Sequence, residues 1–321
     1  MQSFESLAKQ FGDHFQKDHF PATPASLYDP NRYFLSLGGK RVRPVMCLMA
    51  NELFDTIGES AWMTATAIEL FHNFTLIHDD IMDKAPLRRG HQTLHTRYGE
   101  STALLAGDVM LIAAYDYLNS IPQQQASKII SLFNLTARQV CEGQQLDMNF
   151  EQQNDIDFDS YLNMINLKTS VLLAASLKMG AIIGGALDRN QGLLYEFGRK
   201  LGLAFQVQDD YLDAFGDPEK FGKKRGGDIE ANKKTFLLIH ALNNSTQVQR
   251  VKLNELMNTS HSDKVDEILQ LFEQCGARQW ALELKEKFVT EALQHLDDVA
   301  VLSSRKQPLT DLTAYLIHRE N

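Results

Sequence analysis

The chain has 321 residues, of which 44% are hydrophobic and 23% charged, and its net charge is −9 at pH 7. This length suits one large domain or two ordinary ones, and the apolar share is sufficient for a substantial core. The acidic balance and the lack of a basic run argue against nucleic acid as the main partner.

The cysteines and the first twenty residues indicate the compartment. Cys47, Cys141 and Cys275 are scattered, and no pair has metal-ligand spacing. An odd number of cysteines suits a reducing compartment, where we expect plain buried thiols. Residues 1–20 are rich in charge and lack the apolar core of a signal peptide. We therefore expect a cytoplasmic protein.

The first polar segment is a glycine-rich loop that reads GGKRVRP at residues 38–44. Glycine lets the backbone approach a ligand closely, and Lys40 and Arg43 add two positive charges. The segment lacks the full pattern of a phosphate-binding P-loop. It indicates an anion site, although two glycines and a lysine alone are weak evidence.

An apolar helix predicted over residues 61–83 ends in an aspartate triplet with the pattern D-D-x-x-D, formed by Asp79, Asp80 and Asp83. Residues four apart share a helix face, so Asp79 and Asp83 point the same way. His72, seven residues before Asp79, lies on the same stripe. Buried charge is costly unless it is paired or bound to metal, so the pattern predicts a cation site.

Two arginines, Arg88 and Arg89, follow the triplet in a predicted loop. Paired arginines in a loop usually form a solvated turn, but these come directly after a predicted cation site. Guanidinium groups bind phosphate oxygens through parallel hydrogen bonds and keep their charge. Cations and arginines together therefore indicate a phosphorylated substrate.

The middle of the chain is also predicted to be helical, with a helix over residues 101–119. Lys168 and Thr169 precede an apolar run at residues 171–187, which contains a lysine and three glycines. A membrane span needs about 20 clean apolar residues, so we expect a buried core helix and no membrane span.

A second aspartate triplet, Asp209, Asp210 and Asp213, repeats the D-D-x-x-D spacing in a helix predicted over residues 190–214. Gln206 precedes it by three residues and shares its helix face. Two such clusters facing one cavity would suit Mg²⁺, which takes oxygen ligands and completes its shell with substrate phosphates and water.

A loop rich in glycine and lysine follows at residues 216–228 and suggests a mobile flap over phosphates. Helical spacing of apolar residues continues at 265–272 and 289–300, but residues 245–321 carry no motif that we can assign. Strand-like alternation with hairpin turns, polar linkers and repeats are not found. We therefore predict a single all-α domain over residues 1–321.

These motifs, in this order, resemble the trans-isoprenyl diphosphate synthases, or polyprenyl synthetases, which are head-to-tail prenyltransferases. Either triplet alone would be suggestive, whereas the ordered set is highly specific and covers roughly residues 38–235. The matching segments are GGKRVRP at 38–44, ELFHNFTLIHDDIMDKAPLRRG at 69–90, GD at 107–108, GQQLD at 143–147, KTS at 168–170, FQVQDDYLDAFGD at 205–217, FGKKRGGD at 221–228 and KKT at 233–235.

The resemblance implies a large helical bundle around a central catalytic cavity, usually a homodimer. It implies three Mg²⁺ ions ligated by Asp79, Asp83 and Asp209, with Asp80, Asp210 and Asp213 in support. The allylic diphosphate would be held by Arg88, Lys168, Thr169, Gln206, Lys223 and Lys233, although Lys234 could take the place of Lys233. Isopentenyl diphosphate would be held by Lys40, Arg43, His72 and Arg89.

The reaction implied by the resemblance starts with ionisation of the allylic C–O bond of dimethylallyl, geranyl or farnesyl diphosphate. The double bond of isopentenyl diphosphate then attacks the carbocation, and a proton is lost. A dry apolar pocket must shield the cation from water. No residue stands out as a dedicated base, so we expect the released diphosphate to take the proton.

Product length should depend on Phe71, Phe74 and Thr75, which lie eight, five and four residues before Asp79. By resemblance, an aromatic residue at the fifth position suits a short product, and no insertion splits the triplet. We expect geranylgeranyl diphosphate, with farnesyl diphosphate as the close alternative. On an ideal helix Phe74 lies about 140° from Asp79, so its role depends on the resemblance alone.

Two other classes of protein are consistent with parts of the pattern. A terpene cyclase would share the first triplet and a helical fold, but it would normally carry an Asn/Ser/Glu-type second metal motif and would not use the GGK segment or Arg89. A non-catalytic subunit that modulates another prenyltransferase should have lost metal or phosphate ligands, and none of those expected is missing here.

Overall fold

The computed structural model describes residues 1–153, 156–217, 225–259 and 261–317, and 78% of the structure is helical. The prediction of an all-α fold is therefore confirmed. Within the described residues the strands are β1 (Leu87–Arg88) and β2 (His91–Gln92), which form an antiparallel hairpin.

The sequence did not predict this hairpin. Its two-residue turn is Arg89-Gly90, with φ of 53° and 78°. Positive φ at both turn residues is typical of a type I′ turn, which usually carries Asn or Asp before the glycine. An arginine at that position does not signal a hairpin.

The helices before residue 120 are α1 (Phe4–Phe15), α2 (Ala25–Ser36), α3 (Val42–Glu52), α4 (Glu59–Met82), α5 (Leu94–Tyr98) and α6 (Glu100–Asn119). The middle helices are α7 (Gln123–Gln152), α8 (Phe158–Ile165), a π-helical turn (Asn166–Ser170), α9 (Val171–Ile183) and α10 (Asp188–Phe215). The last are α11 (Gly227–Glu230), α12 (Phe236–Asn244), α13 (Gln247–Met257), α14 (Lys264–Gln274), α15 (Ala277–Asp297) and α16 (Ser303–Ile317).

The helices predicted over residues 61–83, 101–119 and 190–214 are confirmed as α4, α6 and α10. Those predicted from the apolar spacing near the carboxyl end of the chain are confirmed as α14 and α15.

The chain forms two compact units. Unit 1 comprises Met1–Leu135, Ala175–Tyr195 and Val299–Leu309, and unit 2 comprises Thr136–Ala174, Glu196–Asp298 and the residues from Thr310 onward. The expectation of a single domain over residues 1–321 stays a prediction.

Helix α4 forms the centre of unit 1, where it packs against α3 and α6. Its side chains from Thr64 to Phe71 are buried on every face. A helix that is apolar on much of its surface belongs inside a large domain, and burying one leucine or phenylalanine side chain contributes about 1.5–3 kcal/mol. The helix ends at Met82, so its last turn carries the first aspartate triplet.

Two glycines allow the end of α9 to lie directly against α3 in unit 1. A Cβ atom on Gly180 would lie 1.9 Å from the carbonyl oxygen of Cys47, and one on Gly184 would lie 2.8 Å from the carbonyl oxygen of Asn51. By length and composition, Phe158–Ile183 could cross a membrane, but 72% of its most apolar window is buried inside the protein. The structure thus contains the expected buried helix.

Unit 2 is built around the second part of α10 and the helix α12. Helix α12 packs against α8 and α15, and its Phe236 is fully buried, with its ring centroid 4.7 Å from that of Tyr161. Phe197 and Leu201 of α10 are fully buried as well. This packing fixes α10, which carries the second aspartate triplet.

Candidate active site

The first triplet occupies the last turn of α4 in unit 1. The N–H of Asp83 donates to the carbonyl oxygen of Asp79 at 2.8 Å, which preserves the helical register that places both residues on one face. Asp79 is partly exposed, with 21% of its side chain accessible, whereas the side chain of Asp80 is 2% exposed. Asp79 is therefore the less buried of the two carboxylates, although its Oδ1 is a buried atom.

Arg88, in β1, binds the buried member of this triplet. Its Nε and Nη2 lie 2.9 Å and 2.5 Å from Oδ1 of Asp80, and Nη2 lies 3.5 Å from Oδ2 of Asp79. The other oxygen of Asp80, Oδ2, is buried without a hydrogen-bond partner. Burial raises the pKa of the Asp80 carboxyl, and the hydrogen bond from Arg88 opposes this effect.

The donor set fits a hard cation. Asp79 offers a partly exposed carboxylate, and Asp80 holds a buried oxygen that lacks a hydrogen bond. Across the part of the chain that the structure describes, no three His, Cys, Asp or Glu side chains converge on one point. Proteins usually bind Mg²⁺ through one or two carboxylates together with substrate phosphates and water.

A cationic cluster lies upstream of the triplet in unit 1. Arg43 donates from Nη1 to Nε2 of His72 at 3.2 Å, and Arg89 donates from Nη1 to the carbonyl oxygen of Gly38. Lys40 lies in the same glycine-rich loop, directly before Arg41. The structure thus brings Arg43 to His72 and Arg89 to the glycine-rich loop.

Electrostatics keep His72 neutral. Burial, followed by the charges of Arg43 and Arg89, holds the pKa of His72 well below its ordinary value. Burial lowers the pKa of Arg43 to about 10, so this group stays charged at neutral pH. Because Nε2 of His72 accepts from Arg43, the neutral ring carries its proton on Nδ1 and can donate it to an anion.

The second triplet lies near the end of α10 in unit 2. Asp210 is buried and accepts hydrogen bonds from Nε2 of Gln206 at 2.8 Å and from the hydroxyl of Tyr161 at 3.4 Å. Burial raises its pKa to about 8, with Asp228 adding to the effect and Gln206 opposing it. Asp213 accepts from the backbone N–H of Asp228 at 3.0 Å.

These contacts give the members of the second triplet different roles. Asp210 and Asp213 anchor α10 to its neighbours, and Gln206 donates a hydrogen bond to Asp210. Asp209 is half-buried. The arrangement is consistent with Asp209 as the metal ligand and the other two as supports.

Lys168 lies in the π-helical turn between α8 and α9. Its Nζ lies 2.6 Å from Oδ2 of Asp147. The turn lies against Gly143 of α7, where a Cβ atom would be 2.3 Å from the backbone nitrogen of Lys168. Thr169 occupies the same turn. Turns of this kind occur frequently at functional sites.

The sequence analysis assigned no role to several residues of these clusters. Asp147 holds Lys168, Glu69 pairs with Arg41, and Tyr161 donates to Asp210. Asp147 and Glu69 lie in the matching segments GQQLD and ELFHNFTLIHDDIMDKAPLRRG, whereas Tyr161 lies outside every matching segment.

Two of the predicted phosphate ligands come from the segment after α10. Nζ of Lys234 donates to the carbonyl oxygen of Phe150 at 2.6 Å, whereas Lys233 is exposed, with Nζ 3.9 Å from Oδ1 of Asp228. Of these two lysines, Lys233 is therefore the more exposed. Lys223 lies outside the described residues.

The residues expected to set product length lie on α4 in unit 1. Phe71 is 1% exposed and packs against Phe133 of α7, with ring centroids 5.0 Å apart. Phe74 lies between Phe71 and His78, at centroid distances of 5.6 Å and 4.7 Å. The Thr75 hydroxyl donates to the carbonyl oxygen of His72 at 2.7 Å.

Comparison with known proteins agrees with these features. The sequence pattern of the family described as Polyprenyl synthetase matches residues 24–275. A geranylgeranyl diphosphate synthase of Methanosarcina mazei is 36% identical over 92% of this chain and 91% of its own. A short chain isoprenyl diphosphate synthase of Methanothermobacter thermautotrophicus is 35% identical over 93% of this chain and 92% of its own. A crystal structure of a geranylgeranyl pyrophosphate synthase is 42% identical, covers both chains completely and has a TM-score of 0.94.

Proposed function

The chain belongs to the polyprenyl synthetase family and is a prenyltransferase, and from this premise we propose that it condenses isopentenyl diphosphate with an allylic diphosphate to form geranylgeranyl diphosphate. The observation that carries the proposal is the complete ligand set, with both aspartate triplets and the cationic cluster kept in one chain. The names of the relatives, several of them geranylgeranyl diphosphate synthases, favour the twenty-carbon product.

The allylic diphosphate would be held by cationic and polar side chains from both parts of the ordered motif set. Arg88 and Lys168 would provide positive charge to the diphosphate. Asp80 orients Arg88, and Asp147 orients Lys168. Thr169, Gln206, Lys223 and Lys233 complete this proposed set. Guanidinium and ammonium groups aimed at the leaving diphosphate stabilise the charge that develops as the C–O bond breaks.

Divalent metal is the cofactor that the family generally uses, and we propose three Mg²⁺ ions held by Asp79, Asp83 and Asp209. Bound Mg²⁺ supplies electrostatic stabilisation of the departing diphosphate. Both triplets would then act on the same diphosphate. Asp80, Asp210 and Asp213 support the ligands through the contacts described above.

Isopentenyl diphosphate would bind to the second cationic set. Arg43 and Arg89 provide charge, neutral His72 provides a donor on Nδ1, and Lys40 lies in the adjoining loop. Holding both substrates in a fixed orientation converts the bimolecular attack into an effectively unimolecular step. We propose that the released diphosphate accepts the proton that is lost at the end.

A second copy of the chain is the expected partner. On α6, Leu104, Leu105 and Ile112 are 48%, 54% and 59% exposed, which leaves large aliphatic side chains in water along one helix. An exposed apolar stripe of this kind suits association with another protein surface. We propose a homodimer, located in the cytoplasm, with α6 at the interface.

The direct test is an assay of the purified protein with Mg²⁺, isopentenyl diphosphate and dimethylallyl, geranyl or farnesyl diphosphate, followed by mass spectrometry of the products. We expect geranylgeranyl diphosphate, and we expect chelation of the metal to abolish its formation. A fifteen-carbon end product would favour the farnesyl alternative. A hydrocarbon formed without isopentenyl diphosphate would indicate a terpene cyclase, and an inactive protein would indicate a modulatory subunit.

A further inference from the structure

Glu69 is a buried carboxylate among the arginines of unit 1. Its side chain is 3% exposed and accepts hydrogen bonds from Nη1 of Arg41 and, at 3.0 Å, from Nδ2 of Asn73. Nδ2 of Asn73 also lies 2.7 Å from the carbonyl oxygen of Glu69, which fixes the amide against α4. A buried carboxylate is costly without such partners. The presence of a buried carboxylate three residues before His72 therefore indicates a specific role for Glu69.

Arg41 connects Glu69 to the glycine-rich loop. Its backbone has a φ of 53°, and Gly38 and Gly39, three and two residues earlier in the loop, have φ of 75° and 150°. A left-handed conformation at a residue other than glycine persists only where the surroundings hold it. The ion pair with Glu69 and the ring of Phe15, 4.8 Å from the guanidinium carbon, supply that hold.

The charge of Glu69 also acts on two neighbouring guanidinium groups. Burial lowers the pKa of Arg43 and of Arg89, and for each of them the charge of Glu69 is the largest charge effect opposing it. Arg89 also donates to the carbonyl oxygen of Gly38, and a Cβ atom on Gly39 would lie 2.9 Å from its Nη2. Three arginines therefore share one buried counter-charge.

We propose that Glu69 is a positioning residue for isopentenyl diphosphate. It acts through Arg41, which fixes the loop that carries Lys40, and through its charge, which keeps Arg43 and Arg89 together before the diphosphate arrives. Glu69 does not bind the diphosphate itself, because two anions repel each other. The inference rests on the proposed function, since it takes Arg43 and Arg89 as ligands of that diphosphate.

The first test is Glu69→Gln, which keeps the shape of the side chain and removes its charge. We expect the KM for isopentenyl diphosphate to rise by about tenfold or more, because breaking one partner of a buried charged pair is costly for binding. The KM for the allylic substrate should stay within about threefold of the wild-type value. The matched control is Glu59→Gln, an exposed residue of the same helix, which should change neither constant.

A binding measurement separates this role from a merely structural one. Calorimetric titration with isopentenyl diphosphate alone, without metal or allylic substrate, should show the same loss of affinity in Glu69→Gln. Arg41→Met should reproduce the part of the effect that passes through the loop, and the double variant should be no worse than Glu69→Gln alone, because both changes break the same ion pair. If these variants do not fold, Arg41→Lys can be used instead, because it keeps the charge and loses the planar fork of the guanidinium. We expect it to raise the KM for isopentenyl diphosphate, by less than Glu69→Gln does, and to leave the KM for the allylic substrate unchanged.

Two results would overturn the inference. One is an unchanged KM for isopentenyl diphosphate in a folded variant, and the other is an equal rise for both substrates. A wild-type protein that does not consume isopentenyl diphosphate would contradict the proposed function instead. Wild-type activity together with an unaffected Glu69→Gln contradicts only the role of Glu69.

Discussion

The guanidinium of Arg88 binds Asp80 through two nitrogens, at 2.9 Å from Nε and 2.5 Å from Nη2, while the other oxygen of Asp80 is buried without a hydrogen bond. Of the triplet, the middle carboxylate is thus the one that holds the arginine expected to meet a phosphate. Asp80 orients Arg88, and Asp79, the more exposed of the two carboxylates, is the one that we propose as a cation ligand.

Replacing Asp80 by asparagine should weaken both the fold and the reaction. The change leaves a partly buried guanidinium without its counter-charge, which should lower the free energy of unfolding by about 1–3 kcal/mol. We expect kcat to fall by at least about tenfold, because Arg88 loses its orientation. Urea denaturation and steady-state kinetics measure the two effects. Asp13→Asn, at an exposed position on α1, is the control, and wild-type values for Asp80→Asn would contradict the prediction.

The two triplets should behave as one unit in catalysis. Asp79→Asn and Asp209→Asn should each lower kcat by roughly a hundredfold, as removal of one charge-stabilising group commonly does. If both act on the same diphosphate, the double variant should lose much less than the product of the single losses. Multiplying losses would indicate that the triplets act separately. Asp298→Asn, on an exposed aspartate after α15, should leave kcat unchanged.

Gly143→Ala should disturb Lys168 without touching the second cationic set. The added Cβ would lie 2.3 Å from the backbone nitrogen of Lys168, so the π-helical turn must shift. We expect the KM for the allylic substrate to rise and kcat to fall, each by about tenfold, whereas the KM for isopentenyl diphosphate stays the same. Gly192→Ala is the matched control, because a Cβ there meets open space. Equal effects of the two changes would refute the explanation.

Phe74→Ala should lengthen the product. Its ring lies half-buried between Phe71 and His78, and its removal opens space on α4. Mass spectrometry of the products should show chains longer than twenty carbons. Phe71→Ala is a poorer probe, because loss of a buried phenylalanine costs about 3–5 kcal/mol of stability. An unchanged product distribution in Phe74→Ala would count against the role that the family resemblance implies.

Acidification should destabilise the protein partly through His19. Burial lowers its pKa to about 4, and the contact with the carbonyl oxygen of Phe15 and the charge of Asp18 oppose this effect, whereas Lys17 and His14 add to it. The unfolded chain binds the proton near pH 6.5 and the folded chain does not, so stability falls as the pH drops from 6.5 towards 4.

The histidine contribution can be isolated by substitution. In His19→Asn, the loss of unfolding free energy between pH 7 and pH 4.5 should be smaller than in the wild type by about 1–2 kcal/mol, a range reduced for the partial exposure of the ring. Denaturant titrations at the two pH values measure it. The corresponding change at His91, an exposed residue of β2, should have no such effect. An identical pH dependence in His19→Asn would refute the assignment.

Features that depend on local periodicity could be predicted from the sequence. Helices α4 and α10 are apolar over long stretches, so their bounds and the positions of both triplets in their last turns follow from helical spacing. The loop before α3 and the arginines after α4 could be recognised for the same reason, since each motif is contiguous in the chain.

Features that depend on contacts between distant residues could not be predicted. The π-helical turn at Lys168 arises where Gly143, more than twenty residues earlier, leaves no side chain in the way. The ion pair between Glu69 and Arg41 joins residues 28 positions apart, so no local pattern predicts it. The pairing of Arg88 with Asp80 depends on the hairpin turn at Arg89-Gly90, for which no typical turn sequence is present.

The close packing of α9 on α3 constrains how this sequence can vary. Gly180 and Gly184 are four residues apart, and so are the carbonyl groups of Cys47 and Asn51 against which they lie. Small residues at this interval are also the device by which membrane helices associate. In descendants of this chain only a hydrogen atom fits at these two points, and even alanine would push the helices apart.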